Sequence, residues 1–172
     1  VKEAALDGSA SQHPGTTPAD QGEVASGKVT ISAGSDRVAS LELDVAAFNQ
    51  ANHLTSGGKE VTLAAHSPGW YLATAEGGKP VFWVHVDVTG SYSVYLVGQL
   101  NHGVQGKDDL AIEVPLFVTN HDGDRSPNVS VTVTVEDDMP IGTVLAHTLN
   151  EGSSPVSGDL LPAANEGADG AR

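Results

Sequence analysis

Two stretches of strict alternation constrain this chain more than anything else in it. In residues 110–118, Leu110, Ile112, Val114, Leu116 and Val118 take every second position, and in 128–136 so do Val129, Val131, Val133 and Val135. A period of two is that of a pleated strand with one buried face. Pro115 removes a backbone donor, which predicts that the first of these strands lies at an edge or carries a bulge. Residues 81–88 (VFWVHVDV) and 92–97 (YSVYLV) flank Thr89-Gly90-Ser91, a compact hairpin signal. Weaker strands are expected at 28–32, 37–45, 59–65 and 70–74, with one helical turn around Val45–Asn52. Short strands with frequent turn signals, and no helices between them, predict an all-β antiparallel sandwich of about seven or more strands. A parallel α/β fold is excluded because the crossover helices are missing.

The flanks have a different character. Residues 8–28 are rich in Gly, Ser, Thr and Pro and nearly devoid of apolar side chains. A segment of that kind cannot offset its ordering entropy by burial and reads as a loop or linker. After Pro140 a second such stretch begins. The expected division is therefore a junction or linker with a long loop over 1–28, a sandwich over 29–140, and a linker opening a next unit over 141–172. The tail echoes the head: Asn150-Glu151-Gly152 resembles Lys2-Glu3-Ala4, and Gly158-Asp159-Leu160 resembles Gly27-Lys28-Val29. This suggests one period of a tandem array, the alternative being chance similarity of two polar linkers.

Charge narrows the partners. The chain has 22 acidic and 8 basic residues, a net charge of -14. Nucleic acid and anionic lipid both need basic patches and are not expected as partners, whereas divalent cations are well suited. The chain has no cysteine, which rules out disulfides and cysteine-based metal or nucleophile chemistry. No apolar run approaches the roughly 20 residues that span a bilayer. The N-terminal residues lack the basic and apolar regions of a signal peptide, so any export signal is expected elsewhere.

Two acidic clusters are candidate cation sites. In Thr119-Asn120-His121-Asp122-Gly123-Asp124, side-chain oxygens recur at positions 120, 122 and 124, and Gly123 permits a tight turn that aims them at one point. Calcium takes 6–8 oxygen ligands, and a loop can assemble them in this way. In Glu136-Asp137-Asp138-Met139-Pro140, three adjacent carboxylates repel one another unless a cation neutralises them. For both clusters the plainer alternative is solvated turn chemistry, for which Asp, Asn and Gly are the usual residues. The seven histidines are scattered without paired spacing, so no zinc site is expected. Trp70-Tyr71 and Trp83 form either a carbohydrate-stacking surface or ordinary packing. No nucleophile elbow, phosphate-cradling loop or nucleophile–base pair is present, and an enzyme is not expected.

The segments GSDRVASLELD (34–44), LTSGGKEVTL (54–63), VTGSYSVYL (88–96), QLNH (99–102), VTNHDGD (118–124) and VTVEDDMP (133–140) occur in an order that resembles the cadherin-like tandem repeat of type I-secreted RTX adhesins. The resemblance covers about residues 27–140. It implies an Ig-like or cadherin-like extender of a giant bacterial surface and biofilm protein, secreted and stiffened by Ca²⁺ at its junctions. Carried over by position, Asn120, Asp122 and Asp124 would be loop ligands and Asp137 and Asp138, beside Glu136, linker ligands. Glu151, or its counterpart Glu3, would come from the next unit. The family commonly has an acidic residue where this chain has Asn120, and an acidic pair where Asp108-Asp109 stand. The partners implied are neighbouring repeats of the same chain or filament. A module that itself grips a glycan or protein ligand is the alternative.

Overall fold

The computed structural model describes residues 1–8, 14–32, 36–103 and 108–141. Among them nine strands form two antiparallel sheets. The strands are β1 (Val24–Lys28), β2 (Val38–Leu43), β3 (Thr55–Ser56), β4 (Lys59–Ser67), β5 (Trp70–Ala75), β6 (Lys79–Val86), β7 (Ser91–Leu96), β8 (Asp109–Asn120) and β9 (Val129–Glu136). One sheet has the order β1-β7-β6-β5-β4-β3 and the other β2-β8-β9. The fold is an all-β sandwich, as the alternation predicts.

The core draws on both sheets. Ile112, Val114 and Leu116 of β8 and Val133 and Val135 of β9 share one buried cluster with Phe82, Val84 and Val86 of β6. The period-2 faces are thus the buried ones, although Val129, at 62% exposed, falls beyond the core. Each fully buried aliphatic or aromatic side chain contributes roughly 1.5–3 kcal/mol. A bulge between β5 and β6 shifts the register near Pro80 and Phe82. Val81 and Phe82 are consequently both buried.

The expected helical turn is the helix α1 (Val45–Ala51), which links the two sheets. Asp44 caps it by accepting a hydrogen bond from the Ala47 amide. Asn49 donates to the Leu63 carbonyl and accepts from the Leu63 amide of β4. Asn52 does the same with Glu113 of β8. The two amides thereby replace ladder partners where the sheets end.

Pro115 is not on an edge strand, because β8 is the centre of its sheet. The reason lies at the same corner. The Pro115 carbonyl accepts from the Asp44 amide, so its nitrogen faces the point where β2 gives way to α1. The Asp44 carbonyl, which would take a donor there, is already used by the Phe48 amide of the first helical turn. A proline costs nothing at a position whose acceptor is committed elsewhere.

Asp44 also accepts from Arg125 Nη2 at 2.6 Å and Asn128 Nδ2 at 3.0 Å. The Ala47 amide, then Asn128 and Arg125, hold its carboxyl at about 2. Asp44→Ala is expected to cost about 1 kcal/mol, the usual value of an N-cap. Because the folded pKa lies below the unfolded one, the contribution is present above about pH 4. It is lost as pH falls through about 2. Urea melts of both proteins at pH 7 and pH 2 check this: the difference between them should shrink in acid.

The flank expected as loop is partly ordered. Its last residues are β1, paired with β7 from Val24↔Tyr95 to Lys28↔Ser91. Ahead of it, a 3-10 turn over Glu3–Ala5 lies against the exit of β9, where Lys2 bridges Glu136 in parallel. Leu6 is 2% exposed and belongs to the core cluster. Residues 142–172, and with them the tail echo, lie outside the described residues.

Candidate metal centre

The exit of β9 gathers the strongest concentration of buried charge among the described residues. The backbone brings it together. The Glu136 amide donates to the Val1 carbonyl, the Lys2 amide to the Gly22 carbonyl, and the Asp137 amide to the Asp108 carbonyl. Further amides, from Gly15 to Leu6 O and Thr17 to Ala4 O, lay residues 14–17 over the 3-10 turn. Gly15 is required there, since a Cβ would collide with the carbonyls of Glu3 and Ala4.

This scaffold places Glu3 in the interior, 0% exposed. Its Oε1 accepts from the Leu100 amide at 2.6 Å. His102, whose side chain is 3% exposed, stands beside it, with Nε2 3.7 Å from Glu3 Oε1. That separation exceeds a hydrogen bond, and among the described residues Nε2 has no hydrogen-bond partner. On its other side, Nδ1 lies 2.7 Å from Asp108 Oδ1. Ligand atoms of Glu3, His102 and Asp137 all fall within 4.8 Å of one another.

Charge in this cluster is mutually dependent. Burial opposes a protonated His102, but the Glu3, Asp137 and Asp108 carboxylates outweigh it and raise its pKa to about 9. Burial likewise pushes the Asp137 carboxyl upward, against the pull of His102. The imidazolium is therefore the positive charge that balances the carboxylates around it.

The expected site residues distribute as follows. Glu3 and Asp137 converge. Asp138, 6% exposed, turns instead to the N-terminal segment, accepting from the Thr16 amide at 2.8 Å and the Thr16 hydroxyl at 2.5 Å. The main chain of Glu136 is committed to its ladder with Asp109 of β8 and to Val1. Glu3 belongs to the same module as Asp137, where the family resemblance implies an acidic residue donated by the next one. Glu151 lies outside the described residues. The residue that sequence reasoning missed is His102: no spacing signal marks it, because its partners lie 99, 6 and 35 positions away.

The loop at the β8–β9 turn is arranged differently. Asn120 Oδ1 accepts from the amides of Asp122 and Asp124, at 3.0 and 2.8 Å. Asn120 Nδ2 reaches Asp124 Oδ2 at 3.4 Å. The Asn120 oxygen is thus spent on closing the turn, and Asp122 and Asp124 are exposed. This end and the β9 exit are separated by the length of β9, about 25 Å.

The tryptophans separate from Tyr71. Tyr71 points into the core and accepts from the Leu43 amide at 3.0 Å. Trp70 and Trp83 lie on the opposite face of the six-stranded sheet with His66, His85 and Tyr95.

No known protein family, curated protein or solved structure matches the chain. Among the described residues, no helix is long and apolar enough to cross a membrane.

Proposed function

We propose that the chain is a non-enzymatic structural module of a secreted bacterial surface adhesin, an extender whose β9 exit is stiffened by Ca²⁺. The observation that carries this reading is the convergence of Glu3 and Asp137, which brings a buried and a half-buried carboxylate from distant parts of the chain to one point. Carboxylates are the right ligands for calcium; an imidazole is not, and suits transition metals better. The donor set therefore fits calcium in its carboxylates only. Glu3 and Asp137 would hold the ion, which would supply positive charge where His102 now does.

The location suits stiffening. The Val1 carbonyl and the Glu136 amide are hydrogen-bonded, so the chain passes the same end of the sandwich twice. An ion bound to Glu3 and Asp137 would restrain both passages and hence the orientation of neighbouring repeats. External calcium near millimolar would fill a site with a dissociation constant of about 10⁻⁴–10⁻³ M.

Calorimetry tests the proposal. Millimolar calcium is expected to stabilise the chain by about 1 kcal/mol over excess EGTA. That raises the melting temperature by about 3 °C. Asp137→Ala should abolish the calcium increment, and Asp122→Ala, at the far end, should leave it intact. Identical melting curves with calcium and chelator would remove calcium from the reading. Loss of the increment in Asp122→Ala alone would move the ion to the turn.

A further inference from the structure

The outer face of the six-stranded sheet carries a second feature, independent of the β9 exit. Cross-strand register aligns Leu72, Trp83, Tyr95 and Val24 on β5, β6, β7 and β1. The neighbouring row aligns Trp70, His85, Ser93 and Ser26. Antiparallel sheets with one face in water normally put polar side chains there. Here Trp70, Trp83 and Tyr95 occupy that face and are only half-buried.

The rings form one continuous platform. Trp70 stacks with Tyr95 at 5.8 Å between centroids and 26° between planes. Trp83 meets Trp70 edge-on at 6.2 Å, and His66 meets Trp83 edge-on at 4.9 Å. His85 lies 4.4 Å from Trp70. Together His66, Ser67, Trp70, Trp83 and Tyr95 line an open depression of about 450 Å³. That is within the usual size of a small-molecule site.

The chemistry of the lining selects the occupant. Among the described residues, no carboxylate, ammonium or guanidinium borders the depression, although the chain carries a net charge of -14. An anionic ligand would be repelled by the whole molecule. A cationic one would find no carboxylate to pair with. What the surface offers is aromatic faces bordered by imidazoles and hydroxyls. An uncharged sugar matches both: the C–H face of a pyranose covers a ring, and its equatorial hydroxyls meet polar groups at the rim. We propose that this face is a carbohydrate-binding platform for a neutral polysaccharide, whose sugar rings stack on Trp70, Trp83 and Tyr95 while His66, His85 and Ser67 hydrogen-bond their hydroxyls. The module would then contribute to adhesion itself as well as spacing.

The chain's only two tryptophans are Trp70 and Trp83, so its indole fluorescence reports on this platform alone. Titration with dextran, laminarin, xyloglucan and hydroxyethylcellulose is expected to shift and quench that fluorescence for at least one of them. In native affinity gels the same polysaccharide should retard the wild type, with alginate as the anionic control. Trp70→Ala and Trp83→Ala should each weaken retardation at least tenfold. The wild-type titration stands whether or not these variants fold. A flat fluorescence response to all four neutral polysaccharides would overturn the proposal. So would unchanged retardation in folded variants, preferential binding of alginate, or sedimentation showing the platform buried in a dimer of this chain. None of these outcomes bears on the calcium increment, which depends on Asp137 at another surface.

Discussion

Replacing His102 by alanine is expected to destabilise the fold by about 3–5 kcal/mol, the range for removing one partner from a buried charge cluster. The effect is large because the imidazolium balances three carboxylates. Its Nδ1 is 2.7 Å from Asp108 and its Nε2 faces Glu3 at 3.7 Å, within a side chain only 3% exposed. Without it, the buried Glu3 and half-buried Asp137 carboxylates confront each other with no imidazolium between them. Glu3→Gln, which removes one of those charges, should recover part of the loss. A double-mutant cycle by urea denaturation in EGTA checks this, with a coupling of about 0.5–3 kcal/mol between the two positions. The pH dependence gives a second readout. His102 has a folded pKa of about 9, above the unfolded value of 6.5. Its contribution is therefore complete below about pH 6.5 and lost as pH rises through 9. The gap between wild type and His102→Ala should narrow in alkali. A constant gap from pH 6 to 10 would show that His102 acts by packing alone.

How much of this was legible in the sequence depends on what kind of contact each part relies on. The sandwich strands advertise themselves because burial of one face imposes a period of two, as in Ile112, Val114 and Leu116. The α1 turn was visible for a similar reason: Phe48 buries 99% of its surface behind a capping Asp44. β1 was hidden. Its sequence is VASGK, its pairing with β7 is carried by backbone, and Gly27 lies where the Tyr92 ring leaves no space for a Cβ. A strand held by main-chain bonds and small residues leaves no hydrophobic trace. Pro115 misled for a comparable reason, since the committed Asp44 carbonyl that excuses it is a property of the corner rather than of the local sequence. The acidic triplet was legible as an anomaly but not in its resolution. Its carboxylates part company: Asp138 accepts from Thr16, and Asp137 joins Glu3 and His102.

Deleting residues 1–23 while keeping β1 is expected to lower stability by about 5 kcal/mol and the melting temperature by about 15 °C. A segment with one large buried apolar side chain would ordinarily contribute little, and composition alone predicts an indifferent linker. Three losses combine instead. Leu6 is 2% exposed within the core, and its removal resembles a large-to-small core substitution of about 2–5 kcal/mol. Asp138 loses both hydrogen bonds from Thr16. Glu3 leaves His102 with Asp108 and Asp137 only, and opens the Leu100 amide to solvent. The ordering entropy of the deleted segment, which the truncated chain no longer has to offset, works in the opposite direction and keeps the net below the sum of the contacts. Leu6→Ala in the full chain separates the apolar share from the polar one. If the truncated protein melts where the full chain does, the segment is a tether merely resting on the sandwich, and the Glu3–His102–Asp137 cluster cannot act as a clamp. If it melts lower by about the predicted amount, the junction is part of the domain. A cation at Glu3 and Asp137 would then act on a fixed point of the fold rather than on a loose connection.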